Sequence, residues 1–173
     1  MKARITTIKT GDILLVRHYS FIGKMIRKIT DCEYNHVGVF VTPTQIVEAT
    51  FGGVKLTDIS DYEHRKRKRK LDYDIFTFKQ PLTYRQKEII VNFCVDKIGE
   101  KYDFFQFISL FFFFLFHINR KDIDPIDCRH AFICSELVAE AFEKAGVTFN
   151  SNIDIDNVTP ADIARSDIIR KIT

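Results

Sequence analysis

The chain of 173 residues carries only seven glycines and four prolines. No Gly-, Ser- or Pro-rich stretch divides it, so residues 1–173 read as a single domain, long enough for one good core. No segment repeats, which argues against a solenoid. Four cysteines without regular spacing offer no disulfide framework, and the residues up to Asp12 lack the apolar core of a secretory signal. A reducing, cytoplasmic compartment is the simplest expectation. Close-spaced ligand pairs are missing too: Cys128, His130 and Cys134 cluster, and Cys32 and His36 lie elsewhere, but none makes the spacing of a structural zinc site. No metal and no cofactor are expected.

What the chain does have begins with Cys134. Cys134, Leu137, Val138, Ala141, Phe142 and Ala145 recur at helical spacing and form one apolar stripe, with Glu140 and Lys144 paired on the opposite face. Gly146 is placed to end the helix in a left-handed conformation. Cys134 therefore sits on the inward side of a first turn, where the helix dipole and unpaired backbone N–H groups favour a thiolate. A small hydrophobic core cysteine fits the same pattern.

A base for that thiol is available upstream. Residues 35–41 read as a half-buried strand, rich in β-branched residues, with His36 at its start. The next strand, 45–49, carries Glu48 inside an apolar run, and buried carboxylates are rare unless paired. A three-residue turn at 42–44 puts Glu48 on the face of His36 and diagonally adjacent, whereas a four-residue turn sends it to the other face. Both registers stay open. An imidazole oriented by a carboxylate is what thiol catalysis needs, because the ring must hold one tautomer and its charged form must be stabilised.

Four ordered segments carry a family resemblance: Gly11-Asp12-Ile13-Leu14-Leu15; Tyr34-Asn35-His36-Val37-Gly38-Val39 followed by Val47-Glu48-Ala49; Ile98-Gly99-Glu100-Lys101-Tyr102-Asp103; and Ile133-Cys134-Ser135-Glu136-Leu137-Val138. With Thr159-Pro160-Ala161-Asp162-Ile163 near the end, the chain resembles the permuted papain-like amidases of the YiiX and YaeF type, relatives of lecithin:retinol acyltransferase. In ordinary papain-like and NlpC-type enzymes the cysteine helix precedes the histidine strand; here it follows. The resemblance implies an α+β, circularly permuted papain-like (NlpC-type) fold, a small antiparallel sheet packed against helices with the catalytic cysteine at a helix N-terminus. It implies Cys134 as nucleophile, His36 as base and then acid, and Glu48 as the residue orienting His36. Tyr102 matches a Gly-x-x-Tyr whose phenol helps hold the oxyanion, beside the backbone N–H of Cys134; a core tyrosine is the plainer alternative. The basic run and the phenylalanine run described next depart from the family pattern.

Residues 104–116 are apolar on every side, which no surface helix in water can be, and the run is too short for the roughly 20 residues of a membrane span. It suits a buried core helix, a lipid-docking surface or the wall of an acyl pocket, which would hold a flexible chain at about 0.8 kcal/mol per buried CH₂. On the last reading Asp103, Phe107 and Phe111 are candidate substrate contacts, and the substrate is a small or acylated molecule. The second unusual stretch is Arg65, Lys66, Arg67, Lys68, Arg69 and Lys70, six adjacent cations in a chain of net charge +3. Mutual repulsion points to an exposed loop between strands. Beyond solvation, its use would be peripheral contact with an anionic membrane; nucleic acid is not expected, since no aromatic residue interleaves the run.

The remaining pattern predicts strands at 12–17, 54–57 and 72–78, a helix over 20–30, a helix from Thr83 with a Gln86 capping box, and a helix start at Thr159 and Pro160. The expected chemistry is thiol hydrolysis of an amide or ester through a thioester. A peptidoglycan or peptide hydrolase, an acyltransferase, and a non-catalytic lipid-binding module are the alternatives.

Overall fold

The computed structural model describes residues 8–50, 52–101, 133–150, 152–155 and 158–172. The candidates Tyr102, Asp103, Phe107 and Phe111, the run 104–116, and Cys128 and His130 lie outside the described residues. Among those described, no helix is long and apolar enough to cross a membrane.

Six strands form one sheet: β1 (Ile13–His18), β2 (His36–Phe40), β3 (Gln45–Thr50), β4 (Gly53–Asp58), β5 (Leu71–Phe78) and β6 (Ile169–Lys171), in the order β4-β3-β2-β1-β5-β6. Every neighbouring pair is antiparallel. The helices are α1 (Phe21–Ile29), α2 (Ile59–Arg67), α3 (Tyr84–Asp96), α4 (Ile133–Lys144) and α5 (Pro160–Ala164). The α+β architecture expected from the sequence is the one observed.

Alternation along the strands divides the core. Ile13, Leu15, Val37, Val39 and Val47 face α3 and α4, where Ile90, Cys94, Leu137, Val138 and Phe142 are buried with them. Leu14, Val16, Phe40, Ile46 and Tyr73 face the other way and are covered by Ile59 and Tyr62 of α2. The period-2 pattern of a strand makes both assignments follow from position alone. Helix starts follow their capping chemistry. Ser20 accepts from the N–H of Gly23 at 3.1 Å, Thr83 and Gln86 form a capping box, and Thr159 forms another with Asp162 ahead of Pro160. After α4, Gly146 takes φ of +72°, the left-handed stop its position predicts.

One expectation is corrected here. The six cations are not a loop: Arg65, Lys66 and Arg67 are the last turn of α2, and Lys68, Arg69 and Lys70 form the tight connection into β5. Repulsion is outweighed by anchoring. Asp58 caps the helix by accepting from the N–H of Ser60 at 2.8 Å, and cations at a helix C-terminus oppose the negative end of its dipole. The Arg65 guanidinium lies 5.8 Å from the Tyr62 ring centroid, and Lys66 lies 4.8 Å from that of Tyr73 and pairs with Asp72 at 2.5 Å.

Candidate active site

The register between β2 and β3 decides where Glu48 goes. Val39 pairs with Val47 and Phe40 with Ile46, and the N–H of Val41 donates to the carbonyl of Gln45 at 3.0 Å. This is the three-residue turn, so Glu48 shares a face with His36. Gly38 lies between them on that face. A Cβ there would stand 2.6 Å from Ile46 Cγ2 and 3.4 Å from Glu48 Cβ; its absence opens the path along which the carboxylate reaches the imidazole.

That path is short: His36 Nε2 and Glu48 Oε2 lie 2.6 Å apart. Glu48 is 1 % exposed, and an unpaired carboxylate so buried would be very costly. It is fully partnered. The Tyr62 hydroxyl donates to Oε2, the Thr57 hydroxyl donates to Oε1 at 2.6 Å, and the Lys55 ammonium stands 3.6 Å from Oε1. Burial opposes the charged form of Glu48, but the hydrogen bond and charge of His36 and the hydroxyls of Thr57 and Tyr62 prevail and hold its carboxyl well below the usual range. Tyr62 is pushed the other way, by burial and by the Glu48 charge, and stays a donor.

Cys134 meets this pair from the first turn of α4, which packs against β2 and β3. Its thiol hydrogen-bonds to the imidazole of His36. With Nε2 engaged by Glu48, Nδ1 is the ring nitrogen left to face sulfur. Burial alone would raise the thiol pKa and lower that of the imidazole. The reciprocal hydrogen bond and charge outweigh it, helped at sulfur by the N–H groups of Val37 and Ser135 and at the ring by Glu48. Cys134 is therefore lowered and His36 raised. A thiolate–imidazolium pair, aligned by a carboxylate, is the resting arrangement this geometry favours. The Ser135 hydroxyl donates to the carbonyl of Val158 at 2.5 Å, which ties the start of α4 to the approach of α5.

One group that the sequence did not single out borders the site. His18 lies with its ring centroid 5.6 Å from that of His36, and Arg65 Nη2 is 3.3 Å from its Nε2. Burial first, then the positive charges of His36 and Arg65, lower His18 to about 4, so it is neutral where His36 is charged. Asn35 holds the end of β1 in place: its side-chain oxygen accepts from the N–H of His18 at 3.0 Å and its amide donates to the His18 carbonyl at 3.3 Å. Thr57 and Tyr62 were missed as well. Tyr62 had a signal, since Ile59 and Tyr62 sit three apart after a capping aspartate, an inward helical pair.

Among the described residues, no group of three or more His, Cys, Asp and Glu side chains is arranged to hold a metal ion. The nitrogen, sulfur and carboxylate donors of His36, Cys134 and Glu48 are already engaged with one another.

The family model of the permuted papain-like amidase enzymes, YaeF/YiiX, C92, matches residues 7–111, a span that holds His36 and Glu48 and ends before Cys134. Among solved structures, the fold is similar to the crystal structure of metalloprotein YiiX from Escherichia coli O157:H7. The TM-score is 0.67 at 19% identity, over 96% of this chain and 97% of that one. At that identity the likeness is one of fold. No curated protein matches the chain.

Proposed function

Because the chain belongs to the permuted papain-like amidase family of the YaeF/YiiX type, we propose that it is a cysteine hydrolase in which Cys134 is the nucleophile, His36 the general acid and base, and Glu48 the residue that orients and stabilises the imidazolium. The carrying observation is the chain of contacts from the Cys134 thiol to His36 and from His36 Nε2 to Glu48 Oε2 at 2.6 Å.

The chemistry follows from the charge states. The Cys134 thiolate attacks the carbonyl carbon of an amide or ester, and the carbonyl π electrons move to oxygen. As the C–N or C–O bond breaks, imidazolium His36 gives its Nδ1 proton to the departing amine or alcohol, leaving a thioester on sulfur and a neutral imidazole. Neutral His36 next takes a proton from water while the oxygen of that water attacks the thioester. The carboxylic acid departs and the thiolate–imidazolium pair is restored. Through both halves Glu48 stays ionised, because Thr57 and Tyr62 hold two hydrogen bonds on it and His36 a third. It fixes the tautomer and does not carry the proton.

An acyl substrate, lipidic or N-acyl, fits the sequence of 104–116, whose phenylalanines suit an aliphatic chain better than a polar peptide. The test is intact-mass spectrometry of the native chain and its Cys134→Ala and His36→Ala variants after exposure to an activated long-chain acyl ester. An adduct that needs both residues is the expected result. Turnover retained in folded Cys134→Ala overturns the assignment.

A further inference from the structure

Beside the candidate active site the surface changes character. Tyr19 is 40% and Phe21 70% exposed, two of the exposed large apolar side chains among the described residues. Phe21 begins α1, and Phe21, Lys24 and Lys28 follow at helical spacing along one exposed stripe. The opposite side of α1 is pressed against the sheet at Gly23, where a Cβ would lie 2.4 Å from Asn35 Nδ2 and 2.6 Å from the His18 carbonyl. That close approach fixes which way the stripe points.

The basic connection after α2 joins the same surface. The Tyr19 N–H donates to the Lys70 carbonyl at 3.1 Å, and the Arg27 guanidinium lies 5.7 Å from the Tyr19 ring centroid. Arg67, Lys68, Arg69 and Lys70 are all exposed. Lys24, Arg27 and Lys28 add to them, and none of these seven cations forms an ion pair among the described residues. No acidic residue interrupts 19–30 or 64–71 in the sequence.

We propose that this face, Tyr19 and Phe21 ringed by Lys24, Arg27, Lys28 and Arg67 to Lys70, docks on the surface of an anionic lipid bilayer. Cations that form no ion pair among the described residues are drawn to acidic headgroups, and an amphipathic helix with an aromatic at its exposed end anchors in the boundary between headgroups and chains. Duplex nucleic acid would satisfy the cations but, with its bases already stacked on one another, offers Phe21 no partner. The face adjoins the site through consecutive residues: His18 contacts the His36 ring and Tyr19 follows it. Docking therefore brings the thiol to the membrane. What is delivered there rests on the reading of Cys134 as nucleophile; the docking itself does not.

The experiment is co-sedimentation with vesicles of phosphatidylcholine alone, or mixed equally with phosphatidylglycerol, for the native chain and for Cys134→Ala, Phe21→Ser and Lys68→Gln/Arg69→Gln. Circular dichroism checks that each is folded. Native chain and Cys134→Ala are expected to bind the mixed vesicles alike and to leave neutral ones. Removing two cations should weaken binding about thirtyfold, and Phe21→Ser about tenfold. The proposal is overturned by failure to bind mixed vesicles, by binding that ignores both sets of substitutions, or by preferential capture of a short RNA duplex that Phe21→Ser leaves unchanged. Vesicle binding without any Cys134 acyl adduct would sink the hydrolase reading and leave this one standing.

Discussion

Replacing Glu48 by Gln tests the site where its electrostatics are concentrated. The substitution keeps the shape of the side chain and removes one negative charge from a group that accepts from His36, Tyr62 and Thr57. The amide retains one acceptor oxygen. If its NH₂ turns toward His36, Nε2 must become an acceptor and the ring proton moves to Nδ1, the nitrogen needed to face sulfur as a base. If its oxygen faces His36, the tautomer survives but the imidazolium loses its counter-charge. Hydrogen bonds to charged groups contribute about 1.5–3 kcal/mol net. Lost from the transition state, that lowers kcat/KM about tenfold to about 150-fold. The pH profile supplies the second readout. In the native chain Glu48 helps raise His36, and the imidazolium in turn lowers Cys134. Without the carboxylate the imidazolium is less stable, so the pH of half-maximal thiol alkylation should move upward, toward that of an ordinary cysteine. Steady-state ester hydrolysis and iodoacetamide kinetics, run beside a thermal melt, measure both. A folded Glu48→Gln chain with native rate and native alkylation profile would refute the role given to Glu48.

Tyr62→Phe removes one donor from Glu48 in a side chain that is 1 % exposed; a loss of about 1.5–3 kcal/mol in urea unfolding is expected, with a rate loss smaller than that of Glu48→Gln. Gly38→Ala places a Cβ 2.6 Å from Ile46 Cγ2; overpacking should cost about 1–3 kcal/mol and slow thiol alkylation as Glu48 is displaced, and a variant matching native chain in both assays would contradict the account of that glycine. The His18 prediction concerns acid. Its folded pKa of about 4 lies below the 6.5 of an ordinary imidazole, so between those values the unfolded chain holds a proton that the folded chain refuses, and stability rises with pH across that interval. The contribution is intact above it and lost as pH falls through it. Urea midpoints from pH 4 to 7 should show a shallower slope in His18→Gln than in native chain.

The legible parts of the sequence were those governed by local rules. The Thr83 capping box, the Gly146 stop and the stripe that turns Cys134 inward each need only a few neighbours, and each appears as expected; the strand at His36 forms too, but buried on both faces and not half-buried, because α2 and α4 cover opposite sides of the sheet. The α2 helix left only a faint mark, the Ile59 and Tyr62 spacing after Asp58, because six like charges read as a loop and the burial of that pair depends on a sheet face assembled from distant strands. β6 is three residues long, too short to show a period. For Glu48 the obstacle was parity: a one-residue change in the turn at 42–44 reverses its face, and composition does not fix that length. Thr57, Tyr62 and His18 became members of the site only through tertiary docking. The family motif pointed to Cys134, His36 and Glu48, and the structure gathers these three side chains.

The two halves of the proposed triad come together over very different stretches of chain. His36 and Glu48 are twelve residues apart, on a single hairpin, and such a local pairing closes with little loss of chain entropy. Cys134 arrives from far downstream on a helix that must find the finished sheet, and contacts of that span are slow to form. Until it docks, the thiol has neither the imidazole of His36 nor the N–H of Val37, both of which lower its pKa. A nascent chain thus carries an unremarkable cysteine. Nucleophilicity is switched on by completion of the fold, so the rate at which a mild electrophile marks Cys134 during refolding is a clock for the last long-range step.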